Sequence, residues 1–249
     1  MTRRLCLPGR VSLPLVALLG GLWLTGCATQ TQGIAGGGND ASPTAAYTRL
    51  GVAYLERNNL PRAMGALDRA LEISPDDPEA LQAMAMVYQR QGEASLADET
   101  FRRALTADTD FTRARNNYAA FLYARGRVGE ACAQLERASA DTQYPHRARL
   151  FANLGQCHRE LGELQEARRS LRRAQAIDPR APRSYFTLAD LEYAENNLAQ
   201  ARTQIEAFMR LAGPRPEALR LASDIARAQG DGATAAFYTQ QLEGRDTTP

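Results

Sequence analysis

A small residue returns along this chain at a nearly fixed interval. Gly51, Ala85, Ala119, Gly155, Ala189 and Ser223 are separated by 34, 34, 36, 34 and 34 residues. Other columns keep the same phase. Ala63, Ala97, Ala131, Ala167, Ala201 and Ala235 form one, and Leu67, Phe101, Leu135, Leu171, Ile205 and Thr239 form another. A large apolar residue precedes most of the first small ones: Leu50, Met84, Tyr118, Leu154 and Leu188, with Ala222 the exception. Turn-forming residues fall midway, at Asn58-Asn59, Gly92, Gly126, Gly162, Asn196-Asn197 and Gly230. Each period therefore reads as two short helices. Small residues at the crossing points let the helices approach, and large residues fill the spaces beside them. In the first unit, helix A is expected from Thr44 to Arg57 and helix B from Leu60 to Glu72. Pro75 and Pro179 close units, since proline cannot continue a helix.

These columns resemble the tetratricopeptide repeat (TPR) closely. The expected fold is all-α, a TPR superhelix of six helix-turn-helix units over residues 44–249, starting near Thr44, Pro78, Thr112, Ala148, Pro182 and Pro216. One such unit cannot bury its own apolar face, so stacked neighbours supply the core and a capping unit closes the open end. The third unit carries two extra residues near Tyr144-Pro145, and the sixth departs most, with Ala222, Ser223 and Thr239.

The start of the chain is of another kind. Residues 1–26 contain no acidic residue, and Arg3, Arg4 and Arg10 precede a mostly apolar stretch from Val11 to Trp23. That stretch is short for a bilayer span and is interrupted by Pro14, so it reads as a secretory signal. Leu24-Thr25-Gly26-Cys27 resembles the lipobox of bacterial lipoproteins. That resemblance implies lipidation of the Cys27 thiol and cleavage before it. Ala28, where an aspartate would imply inner-membrane retention, implies sorting to the outer membrane with the body facing the periplasm. Residues 27–43 are polar and contain Gly36-Gly37-Gly38, the composition of a flexible tether. Its reach is roughly 20–25 Å.

Beyond residue 26 the chain holds 27 arginines (30 cationic residues less Arg3, Arg4 and Arg10) and 28 acidic residues, so its formal charge is −1. That balance argues against nucleic acid as a partner and against a polybasic membrane surface. His146 and His158 are not in metal-ligand spacing, no Cys-x-x-Cys occurs, and the glycine triplet lacks the strand and helix of a phosphate loop. Asp76-Asp77 reads as helix capping. The chain is expected to be no enzyme and to use no cofactor, metal or small-molecule substrate.

With Cys6 in the signal and Cys27 lipidated, Cys132 and Cys157 remain. They fall on helix B of the third unit and helix A of the fourth. Either they are bridged in an oxidising compartment or they are two separately buried small apolar residues. Sequence spacing does not choose between these.

In such a solenoid the A helices line the concave surface, and the positions between core residues face a ligand. The first unit offers Thr48, Val52 and Leu55, the second Gln82, Met86 and Gln89, and the third Asn116, Ala120 and Tyr123. Later units offer Ala152, Gln156 and Arg159, then Phe186, Asp190 and Tyr193, then Arg220, Asp224 and Arg227. The early groove is expected to be apolar to neutral and the late groove charged. Val52, Leu55 and Met86 would suit an amphipathic helix or an apolar peptide.

The segment Asn116-Asn117-Tyr118-Ala119-Ala120-Phe121-Leu122-Tyr123 resembles the third unit of the PilF/PilW type IV pilus biogenesis proteins. So do Tyr144-Pro145 with Asn153-Leu154-Gly155, and the pattern from Ile225-Ala226-Arg227 to Gln241-Leu242. Ala119 stands where that family commonly has glycine, and the polar ending Arg245 to Pro249 replaces an apolar one. The resemblance implies a pilotin: an outer-membrane lipoprotein that binds the secretin subunit, carries it on its own lipid and promotes its multimerisation. A TPR lipoprotein that scaffolds peptidoglycan enzymes is the alternative.

Overall fold

Ser42 opens the first helix. Its Oγ accepts a hydrogen bond from the Ala45 amide at 3.2 Å, and Pro43 takes the first turn, where its missing N–H is not needed. In the computed structural model, which describes residues 42–246, this helix α1 runs Pro43–Glu56 and α2 runs Leu60–Ile73. The pairing recurs as α3 (Pro78–Gln91) with α4 (Ala94–Ala107), α5 (Thr112–Ala124) with α6 (Val128–Ser139), and α7 (Arg147–Glu160) with α8 (Leu164–Ile177). It ends with α9 (Pro182–Ala194) paired with α10 (Leu198–Ala212), and α11 (Pro216–Ala228) with α12 (Gly232–Asp246). Among the described residues all regular structure is helical, and the fold is the expected stack of six TPR hairpins. Pro43, assigned to the tether by sequence, belongs to α1. Asp77 caps α3, its Oδ1 accepting from the Ala80 amide at 2.7 Å. The signal, Cys27 and the tether up to residue 41 lie outside the described residues.

Every turn within a unit is made by a residue at positive φ: Asn58, Gly92, Gly126, Gly162, Asn196 and Gly230. Glycine enters this region freely, and asparagine tolerates it better than other side chains. The crossing points explain the glycines of the small-residue column. A Cβ placed on Gly51 would lie 2.5 Å from Leu67 Cγ, and one on Gly155 would lie 2.5 Å from Leu171 Cγ. Both leucines are fully buried.

Each A helix packs on its own B helix, and each B helix on the next A helix. The core therefore crosses unit boundaries. Phe101 of α4 stacks on Tyr118 of α5 at a centroid distance of 5.3 Å, in a cluster that continues through Leu135 of α6 to Leu154 of α7. Fully burying one such side chain stabilises the fold by about 1.5–3 kcal/mol. Cys132 on α6 and Cys157 on α7 belong to the same cluster. They are joined as a disulfide with Cα atoms 5.6 Å apart. The long linker between these helices, residues 140–146, buries Tyr144, which meets His146 edge-on at 5.7 Å.

The two ends of the stack differ. Met84, Tyr118, Leu154, Leu188 and Ala222 are each buried, but their counterpart Leu50 is 44% exposed. Tyr47, one turn earlier, is 39% exposed. No B helix precedes α1 among the described residues to cover them. At the other end the crossing becomes polar: Ser223 Oγ lies 3.1 Å from the Ala235 carbonyl oxygen and 3.1 Å from Thr239 Oγ1. Those bonds account for Ser223 and Thr239 in the sixth unit's columns. Among the described residues no helix is long and apolar enough to cross a membrane.

Candidate protein-binding groove

The A helices stand side by side and form one wall. Between α1 and α3 that wall opens into a concavity of about 390 Å³. Thr48, Val52 and Leu55 of the first unit and Gln82 and Met86 of the second all line it, so the structure brings together five of the expected groove residues from two units. Their roles differ from the sequence expectation. Leu55 is only 3% exposed and packs into the α1–α3 core, so it forms the floor and cannot project as an anchor. Thr48 and Gln82 are also buried. Both hold the first of the three positions, on A helices that pack against the next A helix. Val52 and Met86 remain half-exposed and supply the accessible apolar surface. Met86 is held in place by polar neighbours, with its sulfur 2.8 Å from Gln82 Nε2 and 3.5 Å from Asn117 Nδ2.

Charge around this concavity was not anticipated. Arg49, Glu56, Glu79, Arg90 and Arg113 also line it. Arg113 pairs with Glu79 at 3.0 Å, and the Arg90 guanidinium donates to the Leu55 carbonyl oxygen. The early groove is thus an apolar floor inside a charged rim, not an apolar to neutral surface. The cations escaped the sequence reading because Arg49, Arg90 and Arg113 lie outside the three assumed groove positions and reach in from the helix flanks.

Asn116 and Tyr123 belong to a different part of the wall. Asn116 is buried, and its Oδ1 accepts from Asn153 Nδ2 at 3.2 Å. Tyr123 lines a smaller concavity of about 170 Å³ with Ala120, Asn153, Gln156 and Arg183. Its hydroxyl accepts from Gln156 Nε2 at 3.0 Å, and Arg183 donates to Gln156 Oε1 at 3.1 Å. Partial burial is the main cause that pushes the Tyr123 phenol above its ordinary pKa. Further along, Arg159 pairs with Asp190 at 2.7 Å. The groove from α5 to α9 is therefore spanned by polar bonds between A helices, while the α1–α3 concavity keeps free apolar surface.

The remaining ionisable clusters brace the stack, one between units and one within a unit. Asp98 of α4 accepts from Arg127 at 2.6 Å and from the Tyr118 hydroxyl at 2.9 Å. Burial is the largest single influence and works to raise the Asp98 pKa, but the two bonds together with the positive charges of Arg102 and Arg127 outweigh it and hold the carboxyl below its usual range. His158 Nδ1 lies 2.6 Å from Glu163 Oε2 across the turn between α7 and α8. Among the described residues no group of three or more His, Cys, Asp or Glu side chains is placed to hold a metal.

Tetratricopeptide-repeat family models match residues 46–92, 78–111, 110–180 and 186–245. PilF, a type IV pilus assembly protein of Pseudomonas aeruginosa PAO1, is 36% identical over 223 residues, covering 88% of this chain and 88% of the relative. The solved structure of Pseudomonas aeruginosa PilF aligns with a TM-score of 0.75 at 36% identity, covering 81% of this chain and 90% of that one. That of PilW, a widely conserved type IV pilus biogenesis factor, aligns with a TM-score of 0.76 at 27% identity, covering 83% and 94%. Six hairpins in register and 36% identity over 88% of the chain agree: the chain belongs to the PilF/PilW family of TPR proteins of type IV pilus biogenesis.

Proposed function

We propose that this protein is a pilotin of a type IV pilus system. It binds the secretin subunit in the periplasm, carries it to the outer membrane on lipid attached at Cys27, and promotes its assembly into the multimeric pore. The action is binding and anchoring, with no covalent chemistry. The observation that carries the reading is the α1–α3 concavity, where half-exposed Val52 and Met86 lie inside a charged rim. That pattern suits an amphipathic segment of the secretin, with its apolar face on the floor and its polar face toward Arg49, Arg90 and Glu56. A lipid-held partner also gains effective concentration at the membrane without any added contact. Stable anchoring needs more than one acyl chain, which a lipobox cysteine provides.

Two variants separate binding from anchoring. Val52→Glu places a charge in the concavity and is expected to abolish co-purification of the secretin while leaving the thermal unfolding curve unchanged. Cys27→Ala is expected to co-purify the secretin as well as wild type but to leave it away from the outer membrane. Normal secretin capture by Val52→Glu would rule out this site. Normal secretin localisation with Cys27→Ala would rule out carriage by lipid.

A further inference from the structure

Arg115 occupies a position that is apolar in every other unit. Its counterparts, in register, are Tyr47, Leu81, Phe151, Tyr185 and Leu219. In the third unit a guanidinium is buried there instead, with 5% exposure. Among the described residues the buried arginine, histidine and carboxylate side chains are Arg115, His158 and Glu192. Glu192 has Arg168, and His158 has Glu163. Arg115 alone has no ion pair. It donates to Gln134 Oε1 at 2.7 Å and to the Thr109 carbonyl oxygen, both neutral acceptors. A buried charge without a direct ion pair is costly, and an apolar residue at this position would avoid that cost.

A second cation stands beside it. The Arg137 side chain, on α6, has no hydrogen bond or ion pair among the described residues. Together with Arg115 and Thr109 it lines two adjoining clefts of about 390 and 610 Å³ on the α4–α5 and α6–α7 linker side of the stack. The other charged groups of the smaller cleft are already engaged, Arg102 by Asp98 and Glu130 by Arg127. Burial first, and then the nearby Arg137, disfavour the charge on Arg115, and these outweigh the opposing influence of Asp110 and Asp108.

We infer that Arg115 and Arg137 form a receptor for one carboxylate, supplied by an acidic side chain of a polypeptide partner. The two guanidinium groups offer charge-assisted hydrogen bonds that match a planar carboxylate. A phosphate dianion suits the place less well, because Asp110 and Asp141 line the adjoining cleft and repel a second negative charge. Elsewhere in this molecule arginines at unit junctions take carboxylates from a neighbouring unit, as Arg127 takes Asp98 and Arg168 takes Glu192. At Arg115 the carboxylate comes from outside. This inference does not rest on the pilotin reading.

The test follows the Arg115 and Arg137 side-chain N–H signals by NMR. The full chain is titrated with a blocked tripeptide bearing a central glutamate, its glutamine analogue, and inorganic phosphate. Saturable shifts are expected with the glutamate peptide and none with the glutamine peptide, with phosphate weaker. Arg137→Ala, whose side chain is exposed, is expected to fold normally and to weaken glutamate binding on the order of tenfold or more. Arg115→Leu restores the residue type of the other units and is expected to keep or raise the melting temperature while abolishing binding. Equal response to glutamate and glutamine peptides, preference for phosphate, or unchanged affinity in Arg137→Ala would each overturn the inference. A lower melting temperature in Arg115→Leu would make Arg115 a structural tie and would also overturn it.

Discussion

Arg168 of α8 grips Glu192 of α9 with two parallel hydrogen bonds, Nε to Oε1 at 2.8 Å and Nη2 to Oε2 at 3.1 Å. Both side chains are largely buried, and Asn197 Nδ2 adds a third donor to Glu192 at 2.8 Å. The fork joins the fourth unit to the fifth. The bond from Arg168 is the largest influence holding the Glu192 carboxyl below its ordinary value, against the opposing effect of burial.

Removing one partner strands the other. Glu192→Ala leaves Arg168 the more exposed carboxylate of Glu195 and the neutral Gln165 side chain, and is expected to cost about 3 kcal/mol in urea unfolding. Linkage gives the pH dependence its sign. A carboxyl whose folded pKa is depressed contributes stability that is present above its unfolded value, 4.5, and is lost as pH falls through the lower folded value. Glu192→Gln is therefore expected to flatten the acid side of the stability curve below pH 4.5. An unchanged acid limb would mean that the pair contributes nothing there.

Gly155 is required by contact, while Gly65 is not. A Cβ at Gly155 would meet Leu171 and the Ala167 carbonyl, so Gly155→Ala is expected to cost about 1–3 kcal/mol. Gly65, within α2, has nothing within 4 Å of a built Cβ. Gly65→Ala is expected to stabilise by about 0.5–1 kcal/mol through helix propensity. Thermal melts of both variants check the contrast.

The Cys132–Cys157 bridge fastens the B helix of one unit to the A helix of the next, closing a loop with a sequence separation of 25. Peptide mapping without reductant is expected to recover the two cysteines as one linked species. Reduction, or a Cys132→Ala and Cys157→Ala double variant, is expected to lower stability by about 3 kcal/mol. Free thiols at both positions in protein from an oxidising compartment would contradict the bridge.

The open end of the stack makes a paired comparison. Leu50 and Met84 hold the same place in successive units, yet Leu50 is 44% exposed and Met84 2%. Met84→Ala is expected to cost about 2–5 kcal/mol. Leu50→Ala is expected to stay within about 0.5 kcal/mol of wild type. Equal losses would show that α1 is covered in the native protein.

The repeat was legible because its columns obey packing rules that act locally. Small residues had to fall where Leu67 and Leu171 cross, and residues tolerant of positive φ had to fall at each turn. The groove was less legible because it depends on relations between units. Phase placed Leu55 on the inner wall, but only the approach of α3 shows that it is buried there. Arg49, Arg90 and Arg113 stand on flanking positions whose reach depends on the tilt of one A helix against the next. Arg115 left a signal, an arginine in an otherwise apolar column, but its lack of a carboxylate partner requires coordinates.

The central claim is that this protein promotes assembly of the secretin. The most direct measurement is the amount of heat-stable secretin multimer in the outer-membrane fraction of a deletion strain, with wild-type and Val52→Glu complementation. The account predicts that multimers and surface pili are lost on deletion, restored by the wild-type gene and not restored by Val52→Glu. Undiminished multimers at the outer membrane of the deletion strain would contradict it.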